Sequence, residues 1–89
     1  MDAELSENIV IIKDKKGTKL HEKSHYGNMS EEGLQLSLIE ALYLAEKERI
    51  TILKDGGIVP LDEMFKIIRK DDLFPKYIVF RDLRNRGMS

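Results

Sequence analysis

Three titratable side-chain types crowd into one short run of the chain: Lys23, His25 and Tyr26. A base to take a proton, an acid to return one and a cation to hold developing negative charge are the parts of acid–base group transfer. Such groups act only when they converge on one reacting centre. Successive side chains of an extended segment point to opposite faces, so His25 and Tyr26 diverge. The run reads as a structural connector with Tyr26 packed on the core, and Lys23, His25 and Tyr26 receive no catalytic role. His21, the other histidine, stands among charged residues on an expected strand and reads as solvent-facing.

Arg81, Arg84 and Arg86 stud the last expected helix, which runs into Gly87, a residue type suited to the left-handed turn after a helix. Residues 69–89 carry six bases against three acids, whereas residues 31–68 carry eight acids against four bases. The three arginines are candidate contacts for phosphate or for acids of an adjoining domain, although a solvated or ion-paired face is the plainer reading. The pairs Glu31-Glu32, Asp62-Glu63 and Asp71-Asp72 fall where helix ends belong and read as caps. Gly56-Gly57 closes a strand without the pattern of a phosphate-binding loop. Cysteine is absent, which excludes a thiolate nucleophile, a disulfide framework and a thiolate metal centre. No catalytic, cofactor-binding or metal site is assigned.

The elements that must position these residues follow from periodicity. Eighty-nine residues, 42% apolar and 35% charged, support one small globular domain with a modest core. The net charge of −1 argues against a general nucleic-acid sponge. No apolar run reaches the ~20 residues that span a bilayer. The acidic start Met1–Glu7 lacks the apolar segment of a signal peptide, so a cytoplasmic location is expected.

Residues 8–13 and 18–22 read as a β-hairpin around Gly17. Ser30 with Glu31-Glu32 reads as the start of a helix running from about Leu34 to Glu46, apolar most of the way round and hence the core of the domain. Arg49–Lys54 alternates as a third strand. A second helix opens at Pro60, and a third covers Leu73–Arg86 with Pro75 in its first turn. The expectation is an α+β domain: a three- to four-stranded antiparallel or mixed sheet packed with three helices, in the order ββαβαα.

Two blocks carry a family likeness. Leu36–Glu46 resembles the "LSLVEALYLLE" helix, and Lys76–Gly87 the "KYLVYRDLRxRGY" junction, of archaeal tRNA-splicing endonucleases. His25–Asn28 matches a non-catalytic "HYGN" stretch of that family's N-terminal domain. Phe80 and Met88 stand where the family more often has tyrosine. The resemblance implies that residues 1–89 form the N-terminal domain alone, inactive without a nuclease domain that carries a tyrosine, a histidine and a lysine.

It further implies a parent enzyme, dimeric or tetrameric, that cleaves precursor tRNA at intron boundaries. There a ribose 2′-hydroxyl attacks the adjacent phosphate, giving 2′,3′-cyclic phosphate and 5′-hydroxyl ends. The implied partners are the nuclease domain or subunit and, through the assembled enzyme, precursor tRNA, with no membrane and no cofactor. The alternative is a free-standing protein-interaction module that uses Phe80, Leu83 and Met88 as an apolar patch, without RNA function.

Overall fold

Ala3 and Leu5 point inward while Asp2, Glu4 and Ser6 are exposed, the alternation of a half-buried strand, and Asp2–Ser6 forms β1. The computed structural model describes residues 1–24 and 26–87. The other elements are β2 (Ile9–Ile12), α1 (Lys16–Ser24), β3 (Asn28–Ser30), β4 (Gly33–Ser37), α2 (Leu38–Glu46), β5 (Thr51–Lys54), β6 (Gly57–Ile58), α3 (Leu61–Lys70) and α4 (Phe74–Asn85). One mixed sheet runs β3-β4-β2-β1-β5-β6. Among the described residues only the β1–β5 pair is parallel.

Register sorts the sheet into two faces. Leu36 lies opposite Val10 and Val10 opposite Leu5, while Leu34 faces Ile12 and Ala3 faces Ile52. These residues form one buried cluster with Leu20 of α1, Leu38, Ala41, Leu42 and Leu44 of α2, Met64 and Ile68 of α3, and Tyr77 of α4. On the other face, Asn28, Gln35, Ile11, Glu4, Leu53 and Ile58 stand in a row across all six strands. α2 is the hub. Ala41, Leu42, Tyr43 and Leu44 are buried in succession, because the helix is covered by the sheet on one side and by α3 and α4 on others.

The class is α+β, as the pattern of elements led one to expect, but the sheet is larger and its elements are partly redrawn. Residues 18–22 are helix rather than the second strand of a hairpin. The Asp14 carboxylate accepts from the Lys16 N–H at 2.9 Å and opens α1, and Leu20 turns into the core. A Cβ at Gly17 would lie 3.1 Å from Ile12 Cγ2 and 3.3 Å from Leu34 Cβ, so a bare glycine lets α1 settle against β2 and β4.

Leu34 and Leu36 belong to β4, not to the long helix. The turn at Glu31-Glu32 joins β3 to β4, and Ser30 Oγ donates to the Gly33 carbonyl at 2.9 Å instead of capping a helix. Besides β4, three strands were unanticipated: β1 inside the sheet, and β3 and β6 at its two edges. α3 and α4 fall close to their expected spans, and Pro75 sits in the first turn of α4.

Replacing Gly17 by valine should push α1 off the sheet and cost about 1–3 kcal/mol in urea unfolding. Alanine at the exposed neighbour Lys19 should stay within about 0.5 kcal/mol. Equal effects of the two substitutions would show that close approach at Gly17 is not what seats the helix.

Candidate functional site on the C-terminal helix

α4 is set by aromatic contacts. Tyr77 is fully buried, with Phe65 edge-on at 5.8 Å, and Phe65 meets Phe74 at 6.4 Å. Phe80 packs edge-on against Tyr43 at 5.6 Å, and Tyr43 stacks with Tyr26 at 6.4 Å. Tyr43 donates its hydroxyl proton to Asn85 Oδ1 at 3.0 Å, tying the end of α4 to α2. Offset and edge-to-face pairs of this kind add stabilisation beyond the area they bury.

These contacts place the three arginines differently. The Arg84 guanidinium lies 4.2 Å from the Tyr26 ring centroid and 5.4 Å from that of Phe80. Arg81 lies 5.5 Å from the Tyr77 ring and 3.8 Å from Glu46 Oε1, close enough to pair in charge without a hydrogen bond. Arg86 is exposed and pairs with Asp82, one turn earlier, at 3.3 Å. Arg84 thus clamps α4 onto its own domain by cation–π contact with Tyr26, Arg81 lies over a ring of its own helix and joins α4 to α2 by its charge pair with Glu46, and Arg86 stands at the outer end. Gly87 takes the left-handed conformation, φ +77°.

Tyr26 is positioned by a carboxylate. Glu40 accepts from Gly27 N–H at 2.8 Å through Oε2 and from Ser37 N–H at 3.0 Å through Oε1. Ser37 Oγ in return accepts from Glu40 N–H at 3.2 Å, completing a capping box at the start of α2. Gly27 has φ +62°, and a Cβ there would meet the Gln35 carbonyl oxygen at 2.2 Å, so no other residue fits this loop without movement. His21 lies on α1, half-buried rather than solvent-facing, and its Nδ1 is 3.1 Å from the Tyr26 carbonyl oxygen. A carbonyl only accepts, so Nδ1 carries the proton.

Lys23 and Tyr26 do not converge. The Tyr26 ring is buried among Tyr43 and Arg84, whereas Lys23 lines an outward cavity with Met1 and Arg49. His25 lies outside the described residues, as does Met88. Burial pushes the Tyr26 phenol above the ordinary tyrosine value, with Tyr43 and Glu40 adding to the rise and Arg84 and Arg49 opposing it. The expected apolar patch also changes. Phe80 is half-buried against Tyr43, and the exposed apolar residues of α4 are Val79 and Leu83, one turn apart. Val79 was not part of the expected patch. Among the described residues no cluster of histidine and carboxylate groups suits a metal, and no helix is long and apolar enough to cross a membrane.

Two outcomes follow from this geometry. Glu40→Ala removes a cap and a charged partner of the Gly27 amide, and should cost about 2–3 kcal/mol in urea unfolding. A loss below about 0.5 kcal/mol would count against the clasp. The raised Tyr26 value means that the folded state holds its proton longer than the unfolded chain does. The associated stability is present below about pH 10 and is lost as the pH rises through the folded value. Tyr26→Phe should remove that part of the alkaline decline, and Arg84→Ala should move the Tyr26 titration to still higher pH. Tyrosinate absorbance followed against pH would contradict both if the Tyr26 signal titrated at the ordinary value.

Comparison with known proteins identifies the family. The family described as tRNA intron endonuclease, N-terminal domain, matches residues 1–65. The tRNA-splicing endonuclease of Methanothermobacter thermautotrophicus is 44% identical over 88 residues, covering 98% of this chain and 52% of that protein. The tRNA-splicing endonuclease of Methanococcus vannielii is 39% identical, covering 98% of this chain and 51% of that protein. That of Thermococcus onnurineus is 40% identical, covering 84% and 45%. The chain therefore spans about half the length of these relatives, and it belongs to the tRNA intron endonuclease N-terminal domain family.

Proposed function

We propose that residues 1–89 are a non-catalytic N-terminal domain that docks on and positions the nuclease half of a tRNA-splicing endonuclease. The observation that carries the reading is the alignment of nearly the whole chain with about half of an enzyme so named, at 44% identity. The assembled enzyme would cut precursor tRNA at intron boundaries. A base would deprotonate the 2′-hydroxyl, an acid would protonate the leaving 5′-oxygen and a cation would hold the phosphoryl charge. Those groups would come from the nuclease half, a role in keeping with the inward turn of Tyr26 away from Lys23.

Exposed Val79 and Leu83 form an apolar stripe on α4, with Arg86 beyond its end. An adjoining domain seated on that stripe would desolvate it and bring Arg86 to the interface. The same stripe favours a protein-contacting role over a purely RNA-contacting one for α4, which unites the docking reading with the interaction-module alternative.

The 89-residue chain alone should leave precursor tRNA uncut. Mixed with the nuclease half of the Methanothermobacter relative, it should support cleavage to 2′,3′-cyclic phosphate ends. The double variant Val79→Asp/Leu83→Asp should weaken that complementation at least tenfold, equivalent to about 1.4 kcal/mol of docking energy. Metal-free cleavage by the chain alone would overturn the non-catalytic assignment. Unaltered complementation by the double variant would remove α4 as the docking face.

A further inference from the structure

Away from α4, a cavity of about 330 Å³ is lined by Met1, Lys16, Lys19, Leu20, Lys23 and Arg49. Four of those six residues are cations and none is a carboxylate. Lys16, Lys19 and Lys23 fall at helical spacing along one face of α1, and Arg49 reaches the same cavity from the turn after α2. All four are exposed, and among the described residues none forms an ion pair.

Folding does not explain the gathering. The chain as a whole carries 16 acids against 15 bases, yet like charges are collected here, where their repulsion opposes folding. Lys16 opens α1, and the first turn contains no acid, so its charge lies at the end of the helix dipole that disfavours cations. The row is also long. Lys16 and Lys23 are seven residues apart, about 10 Å along a helix at 1.5 Å per residue. That length suits consecutive phosphates of a strand better than a single small anion.

We infer that this cleft binds the phosphate backbone of RNA, through Lys16, Lys19, Lys23 and Arg49. The inference rests on the endonuclease reading for its choice of polyanion. Lysine ammonium groups act as point charges on phosphate and carry no base readout, and none of the described residues lining the cleft is aromatic. Binding is therefore sequence-independent, and it holds the body of the substrate rather than selecting the cut.

The test is salt-dependent binding of a short fluorescein-labelled RNA hairpin to the 89-residue chain between about 50 and 200 mM KCl. Lys19→Ala/Lys23→Ala/Arg49→Ala is compared with Lys54→Ala/Lys66→Ala/Lys70→Ala, which removes the same charge from exposed positions elsewhere. The cleft variant should bind at least tenfold more weakly, with a log–log salt slope shallower by about 2, and a hairpin of scrambled sequence should behave identically. The control variant should keep the native slope. Equal losses in both variants, or none in either, would overturn the cleft while leaving the endonuclease reading to the complementation assay. Affinity for polyglutamate in place of RNA would overturn it in favour of an acidic protein partner. Matching thermal midpoints for all three proteins would assign any loss to binding rather than to unfolding.

Discussion

One carboxylate, that of Glu40, organises the region where α1, β3–β4 and α2 meet. Its two oxygens accept from the amides of Ser37 and Gly27, thirteen positions apart in the case of Gly27. The first bond starts α2 at Leu38, leaving Leu34 and Leu36 free to pair in β4. The second pins the loop that presents Tyr26, and Tyr26 is the surface on which Arg84 rests. The start of the central helix, the length of the sheet and the seating of α4 thus share a single anion, and hydrogen bonds to a charged acceptor are among the stronger ones available.

From that anchor the stacking of rings carries position outward. Tyr26, Tyr43 and Phe80 form one column, and Phe65, with Phe74 and Tyr77 beside it, forms another. α4 is held by both, which leaves Arg81 and Arg84 lying over rings and turns Val79 and Leu83 outward. The division of labour is physical. Arginines over aromatic faces are immobilised by contacts within the domain, whereas the lysines of α1 keep their heads in water, where they can exchange counter-ions for a polyanion.

Much of this was legible in the residues. The buried helix through Leu42, the strand at Thr51–Lys54, α3 and α4 announce themselves by period and by Pro60 and Pro75. The boundary at Leu38 was also written, in the capping pair Ser37 and Glu40 and in the alternation of Leu34 and Leu36. A run of leucines that also fits a helical stripe concealed it. α1 was harder to see. Its only large apolar residue is Leu20, and Gly17 signals a turn as readily as a close packing site, so tertiary contact with Ile12 and Leu34 decides. β1 and β6 are too short or too acidic to stand out, and they exist because neighbours supply their hydrogen-bond partners. Arg81, Arg84 and Arg86 were visible as a group. Their partners on other elements were not, because the contact of Arg84 with Tyr26 and that of Arg81 with Glu46 are set by tertiary packing alone.

The parallel pairing of β1 with β5 carries a kinetic consequence. Asp2 stands opposite Thr51, more than half the chain away, and β1 occupies an interior place in the sheet between β2 and β5. A ribosome delivers β1 first, and it pairs early with β2 through a tight local turn. Its second edge then waits until β5 has emerged. Closing so long a loop slows the search for the native topology and leaves one edge of β1 unpaired meanwhile. The step that joins the two halves of the sheet is thus the one most open to misassociation, and any helper that shields nascent β1 would act there.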